Sequence, residues 1–215
     1  QAYAAVHGFP KRQAGEDFYL LDKLAKLSPV ERLAGEAITL RARSSDRAPF
    51  GTGPRVRQIA DADDVLVPAP QAFAALRQLL DGLNAVARTR ELAALERDLP
   101  PLSSEARAAW HHALATSGIV AACEQAVRRV GEGSLQWRLH TWFDSLRTLR
   151  FLHALRDAGL ADLSWARALA EAPFFAESFA TLEQSLSRAR TLELGLPAPS
   201  GPALFAPNRL RREGT

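Results

Sequence analysis

Beyond residue 68 the chain repeats apolar side chains at helical spacing between hard stops, and a bundle of about five helices satisfies that pattern best. The first segment, from about Pro70 to Asp98, puts Phe73, Leu76, Leu80, Leu83 and Ala87 on one face, and Pro100-Pro101 ends it. Ser103 is positioned to cap a second helix whose stripe is Trp110, Leu114, Val120, Cys123, Val127 and Val130, stopped by Gly131-Glu132-Gly133. Ser134 opens a third, carrying Leu135, Leu139, Trp142, Leu146 and Leu149 and ending at Gly159. Asp162 is the expected cap of a short helix that stops at Pro173, and a last helix is expected from about Phe175 to Leu192. The residues from 195 on hold Pro197, Pro199, Pro202 and Pro207 and read as a Pro-rich, flexible tail. The expected fold is mainly α, with a helical domain over 69–194.

Residues 1–68 have another texture. Gly8-Phe9-Pro10 reads as a turn. From Gly15, Phe18, Leu20, Leu21, Leu24 and Leu27 recur at helical spacing, with Asp22, Lys23 and Lys26 outward. Two short strands are expected around Gly35, where Ile38 and Leu40 alternate with Thr39 and Arg41, followed by a turn-rich loop through SSDRAPFGTGPRVR. This part reads as a small α/β region.

Glu16 and Asp17 stand in the first turn of the expected helix. One reading is plain: carboxylates there oppose the positive end of the helix dipole. The other is that one of them, diverging from its neighbour by about 100°, serves as a general base on a rigid element. The loop that follows places Arg41, Arg43, Arg47, Arg55 and Arg57 within 17 residues, against Asp46 alone. Gly51 and Gly53, around Thr52, let the backbone approach a ligand, and guanidinium forks match phosphate oxygens. A solvated, charge-guarded strand edge is the competing reading.

GFP followed by AGEDFYLL and then RxSxRxPFGTG resembles the acceptor-side segment of inverting GT-A glycosyltransferases of the family 2 type, over residues 1 to about 57. The resemblance implies that Asp17 is the base activating an acceptor hydroxyl, with Glu16 supporting it or contacting the acceptor. It also implies that Arg43, Arg47, Gly51, Thr52 and Gly53 lie near the donor diphosphate. It implies a nucleotide sugar, a hydroxyl acceptor and a divalent cation, Mg or Mn, in a parent protein. In that family a nucleotide-binding half ending in Asp-x-Asp precedes the Glu-Asp pair. The expectation is therefore that this chain is the C-terminal portion of a longer glycosyltransferase, inactive alone. Asp61-Ala62-Asp63 is formally an Asp-x-Asp, but it follows the pair and leads into VLVPAP, so no metal ligand is assigned here.

Other features narrow the field. The net charge of +3 is too mild for nucleic acid, and the arginine loop has only Phe50 among its cations, so no nucleic-acid partner is expected. The lone Cys123 forbids an internal disulfide and points to a buried thiol and a cytoplasmic location. No apolar run approaches a membrane span. His111-His112, His140 and His153 are not spaced for a metal, and the four tryptophans read as core packing by default, with a sugar-stacking platform as the lesser reading. Self-association through the helices is a further expected possibility. The rival to a transferase is a non-catalytic helical binding module with an anion-binding arginine loop.

Overall fold

The computed structural model describes residues 2–11, 15–28, 52–60, 64–97, 103–131, 134–172 and 181–195. They fall into two compact units that divide at Val65/Leu66. The described structure is mainly α.

In the first unit, α1 (Ala2–Ala5) is a single turn closed by a left-handed reversal at His7 and Gly8, with φ 59° and 70°. The reversal lets Gly8 N–H donate to Tyr3 O (3.0 Å) and Phe9 N–H to Tyr3 Oη (3.3 Å). It also brings the Tyr3 and Phe9 rings edge to face at 5.9 Å. The Gly-Phe turn is thus organised around Tyr3.

Helix α2 (Glu16–Ala25) follows Gly15, whose φ of 71° is left-handed. Its stripe is narrower than the periodicity predicts. Leu20 is buried and Phe18 and Leu24 are half-buried, while Leu21 and Leu27 face solvent. Asp22, expected outward, is half-buried and pairs with Lys26 (Oδ2–Nζ 2.7 Å). The chain's next described element is α3 (Thr52–Ala60), a helix where a loop is expected. Pro54 accounts for the difference: a proline in the first turn costs nothing there, because its missing N–H would have no intrahelical partner. Residues 29–51, including the expected strands, lie outside the described residues.

The second unit opens with β1 (Leu66–Val67) and then α4 (Pro70–Thr89), with Pro70 at its first position. The face that α4 buries differs from the one predicted. Ala72, Ala75, Leu79, Gly82, Leu83 and Val86 point inward, whereas Phe73 is 50% exposed. Small residues win this face because they allow close approach. A Cβ added at Gly82 would lie 3.0 Å from Leu95 O and 3.1 Å from Leu95 Cα, in the 3₁₀ turn Leu92–Leu95 packed on α4.

That turn exists because α4 ends at Thr89, well short of Asp98. Arg90 adopts a left-handed conformation (φ 61°), and its guanidinium donates to Val127 O and to Val130 O (3.0 Å for the latter). Left-handed backbone costs a non-glycine residue about 1–2 kcal/mol. Charged hydrogen bonds of this kind contribute about 1.5–3 kcal/mol each, so the tertiary contact prevails.

The second expected helix is two. Ser103 Oγ caps α5 (Ser104–Thr116), accepting from Ala106 N–H at 3.2 Å, and left-handed Gly118 separates it from α6 (Ile119–Arg129). Across that break the buried stripe shifts to Ile119, Cys123 and Ala126, leaving Val120 exposed. The third also divides, into α7 (Leu135–Trp142) and α8 (Ser145–Asp157), because Asp144 caps α8 by accepting from Arg147 N–H at 2.9 Å. Ser134 occupies the N-cap position of α7 without a side-chain capping bond. Gly159, at φ 117°, closes α8 as the sequence predicts.

β2 (Leu163–Ser164) pairs antiparallel with β1, Leu66 opposite Ser164 and Val67 opposite Leu163. Ser164, and not Asp162, caps α9 (Trp165–Glu171). The last described helix is α10 (Leu182–Gly195). Within the core, α4 packs against α5, α6, α7 and α8. Trp110 meets Phe151 edge to face at 5.7 Å, and Phe143 meets Phe151 at 6.3 Å. No helix among the described residues is long and apolar enough to cross a membrane.

Candidate functional site

Gly15 turns the chain so that Glu16 and Asp17 enter the first turn of α2 side by side, both exposed. Asp17 Oδ1 accepts the Phe18 N–H at 2.8 Å, and Gly15 O accepts the Tyr19 N–H at 3.0 Å. One carboxylate oxygen of Asp17 therefore serves the helix end, which leaves Oδ2 without a described partner. Glu16 makes no hydrogen bond or ion pair with a described residue. The pair offers one positioned carboxylate and one unengaged one, on a short helix seated through Leu20.

Arg43, Arg47 and Gly51 lie outside the described residues. Thr52 and Gly53, expected in a glycine-rich loop, instead form the first two positions of α3. Their backbone is helical although Gly53 precedes Pro54, a position where proline disfavours helix, and Pro54 itself falls within the first turn, where its missing N–H has no intrahelical partner. No hydrogen bond or ion pair joins Glu16 or Asp17 to α3 among the described residues. Asp61 and Asp63 also lie outside them. Among the described residues no group of three or more His, Cys, Asp or Glu could hold a metal ion.

The histidines and Cys123 take structural places. His140 is buried, with Nε2 2.8 Å from Asn84 Oδ1, which also accepts from Gln136 Nε2 at 3.0 Å. Burial holds its imidazole below the ordinary value of 6.5. His111, His112 and His153 are exposed. Burial pushes the Cys123 thiol up to about 11, which makes it a poor nucleophile.

One concave site escaped the reading of the sequence. Trp110 is in the core as expected, but Trp137 is 51% exposed and, with Trp142, lines a cleft of about 260 Å³ between α6 and α7. Arg129, Arg138, Gln125 and Ser134 complete its polar lining. A tryptophan beside an arginine, at the solvent side of a short helix, is the signal that helical spacing alone absorbs into a core stripe.

No protein-family model, curated protein or solved structure matches the chain.

Proposed function

We propose that this chain is the acceptor-side portion of an inverting glycosyltransferase, which moves a sugar from a nucleotide sugar to an acceptor hydroxyl. The observation that carries the reading is the Gly15-Glu16-Asp17 mouth of α2, both carboxylates exposed, within the GFP…AGEDFYLL…RxSxRxPFGTG context. Asp17 takes the hydroxyl proton as the acceptor oxygen attacks the sugar's C1, and the bond from C1 to the diphosphate breaks with its electron pair leaving on the diphosphate. Glu16 positions the acceptor. Arg43 and Arg47, with the Gly51-Thr52-Gly53 backbone, neutralise the departing charge. The divalent cation and the nucleotide belong to a donor-binding half of the parent, and the reducing cytoplasm suits the free, buried Cys123.

The test is sugar transfer by the whole product of the gene that encodes this chain. Asp17→Asn should lower transfer by about 100-fold or more, the usual contribution of a positioned base, while donor binding is retained. Transfer by D17N at the wild-type rate would remove Asp17 from the chemistry.

A second reading, a helical binding module that catalyses nothing, is supported by the aromatic and cationic cleft between α6 and α7. In that case D17N alters nothing beyond a helix-dipole effect of about 0.3–1 kcal/mol on stability.

A further inference from the structure

We infer that the α6–α7 cleft is a binding site for a small anion carrying a flat ring, of the size and charge of a nucleoside monophosphate. The inference rests on the second unit alone and holds under either functional reading above.

The cleft is built by size mismatch. Ala122 and Ala126, four residues apart on α6, present short side chains opposite the two indoles of α7 and so leave room beside them. Trp142 is held in place from its other neighbours. The Arg147 guanidinium lies 4.5 Å from its ring centroid, and Arg147 Nη1 donates to Trp142 O at 2.7 Å and to Asp144 Oδ2 at 2.9 Å. Trp137, by contrast, keeps half its surface open to solvent. One ring is a fixed wall and the other an accessible stacking face.

The charge is unbalanced. Among the described residues no Asp or Glu lines the cleft, whereas Arg129 and Arg138 do, and neither guanidinium makes an ion pair or hydrogen bond with a described residue. Their neighbour Arg128 is committed to Glu124 at 3.3 Å. Two unpaired guanidinium forks beside an indole ask for a ligand with a strongly charged end and a planar end.

Charge and volume then narrow the ligand class. A carboxylate offsets one guanidinium, whereas a phosphate monoester carries about −1.5 to −2 at neutral pH and offsets both. Pockets that enclose drug-sized ligands usually measure about 300–1,000 Å³. At about 260 Å³ this one accommodates a single ring system with its phosphate, and leaves a dinucleotide or an oligosaccharide mostly outside. Gln125 and Ser134 supply neutral hydrogen-bonding groups suited to a sugar or to the edge of a base.

Isothermal titration calorimetry on the whole chain tests this, with a purine nucleoside monophosphate, the matching nucleoside and inorganic phosphate as separate probes. The monophosphate should bind with a Kd of about 1 mM or tighter. Nucleoside and phosphate should each bind at least about 10-fold more weakly, since each lacks one half of the recognition. Trp137→Ala and Arg138→Ala should each weaken the monophosphate by about 10-fold. Because both side chains are exposed, the thermal transition of either variant should stay at the wild-type temperature, which separates lost binding from lost folding. Absence of saturable heat with the monophosphate overturns the inference. So does phosphate binding as tightly as the monophosphate with Trp137→Ala silent, which would reduce the cleft to a surface patch of positive charge.

Discussion

The mouth of α2 and the α6–α7 cleft reach function-like chemistry by opposite routes. At α2 the informative residues are consecutive: Gly15, Glu16 and Asp17 are legible as a unit in the chain itself, and the described structure adds little around them beyond Leu20 and the hydrogen bonds from Phe18 N–H and Tyr19 N–H. At the cleft the residues are spread from Ala122 to Trp142 over two helices, and no local string announces them. The α2 mouth is a motif with little packing behind it. The cleft is a packing product with no motif. A contiguous motif therefore gives a mechanism its residues, but a concave site needs two elements to be set side by side.

That contrast can be broken at the level of stability. Phe151→Ala should cost about 3–5 kcal/mol, because the ring is fully buried against Trp110 and Phe143. Leu21→Ala on α2 should stay within about 0.5 kcal/mol, since its side chain is already exposed. Urea denaturation of both variants checks the pair. Equal effects would mean that α2 is held by contacts of the same weight as the helical core.

A sharper test asks whether tertiary contact, and not local preference, ends α4. Arg90→Ala should lose about 3–6 kcal/mol, about 1.5–3 kcal/mol for each of the guanidinium bonds to Val127 O and Val130 O. Arg90→Gly forfeits the same bonds but relieves the left-handed backbone, so its loss should be smaller by about 1 kcal/mol. If the two variants melt at the same temperature, the backbone conformation contributes nothing.

The smallest expected effect is pH-dependent and belongs to the helical unit alone. His140 is neutral and buried against Asn84 and Gln136, with its folded pKa below the unfolded 6.5. The unfolded chain therefore binds the proton first. The contribution of neutral His140 is complete above about 6.5 and declines as the pH falls from there toward the lowered folded value. Melting temperatures measured from about pH 7 to 5 should fall further for the wild type than for His140→Gln. Parallel curves would mean that His140 does not couple folding to protons.

Several elements were legible because their causes are local. Ser103 caps α5, Gly159 closes α8, Pro70 opens α4, and the Gly15-Glu16-Asp17 start of α2 all follow from backbone groups within a few residues. The thrice-broken run of long helices was not legible. Arg90 reverses the chain only because the C-terminal carbonyls of α6 stand ready to receive it, and Gly118 and Asp144 divide helices whose apolar spacing runs straight through. The loop expected around Thr52 and Gly53 proved helical once Pro54 stood in its first turn.

The sequence by itself determined that this protein is mainly α and where α2, α4, α5 and α7 begin, since capping, proline and glycine act over one turn. Only the tertiary structure decided which face each helix hides. Periodicity ranks large apolar side chains first, yet α4 buries Ala72, Ala75 and Gly82 and leaves Phe73 half exposed, because close contact with the 3₁₀ turn at Leu95 requires small residues. The same choice, made between Ala126 on α6 and Trp137 on α7, turned one expected core tryptophan toward solvent and opened the cleft beside it.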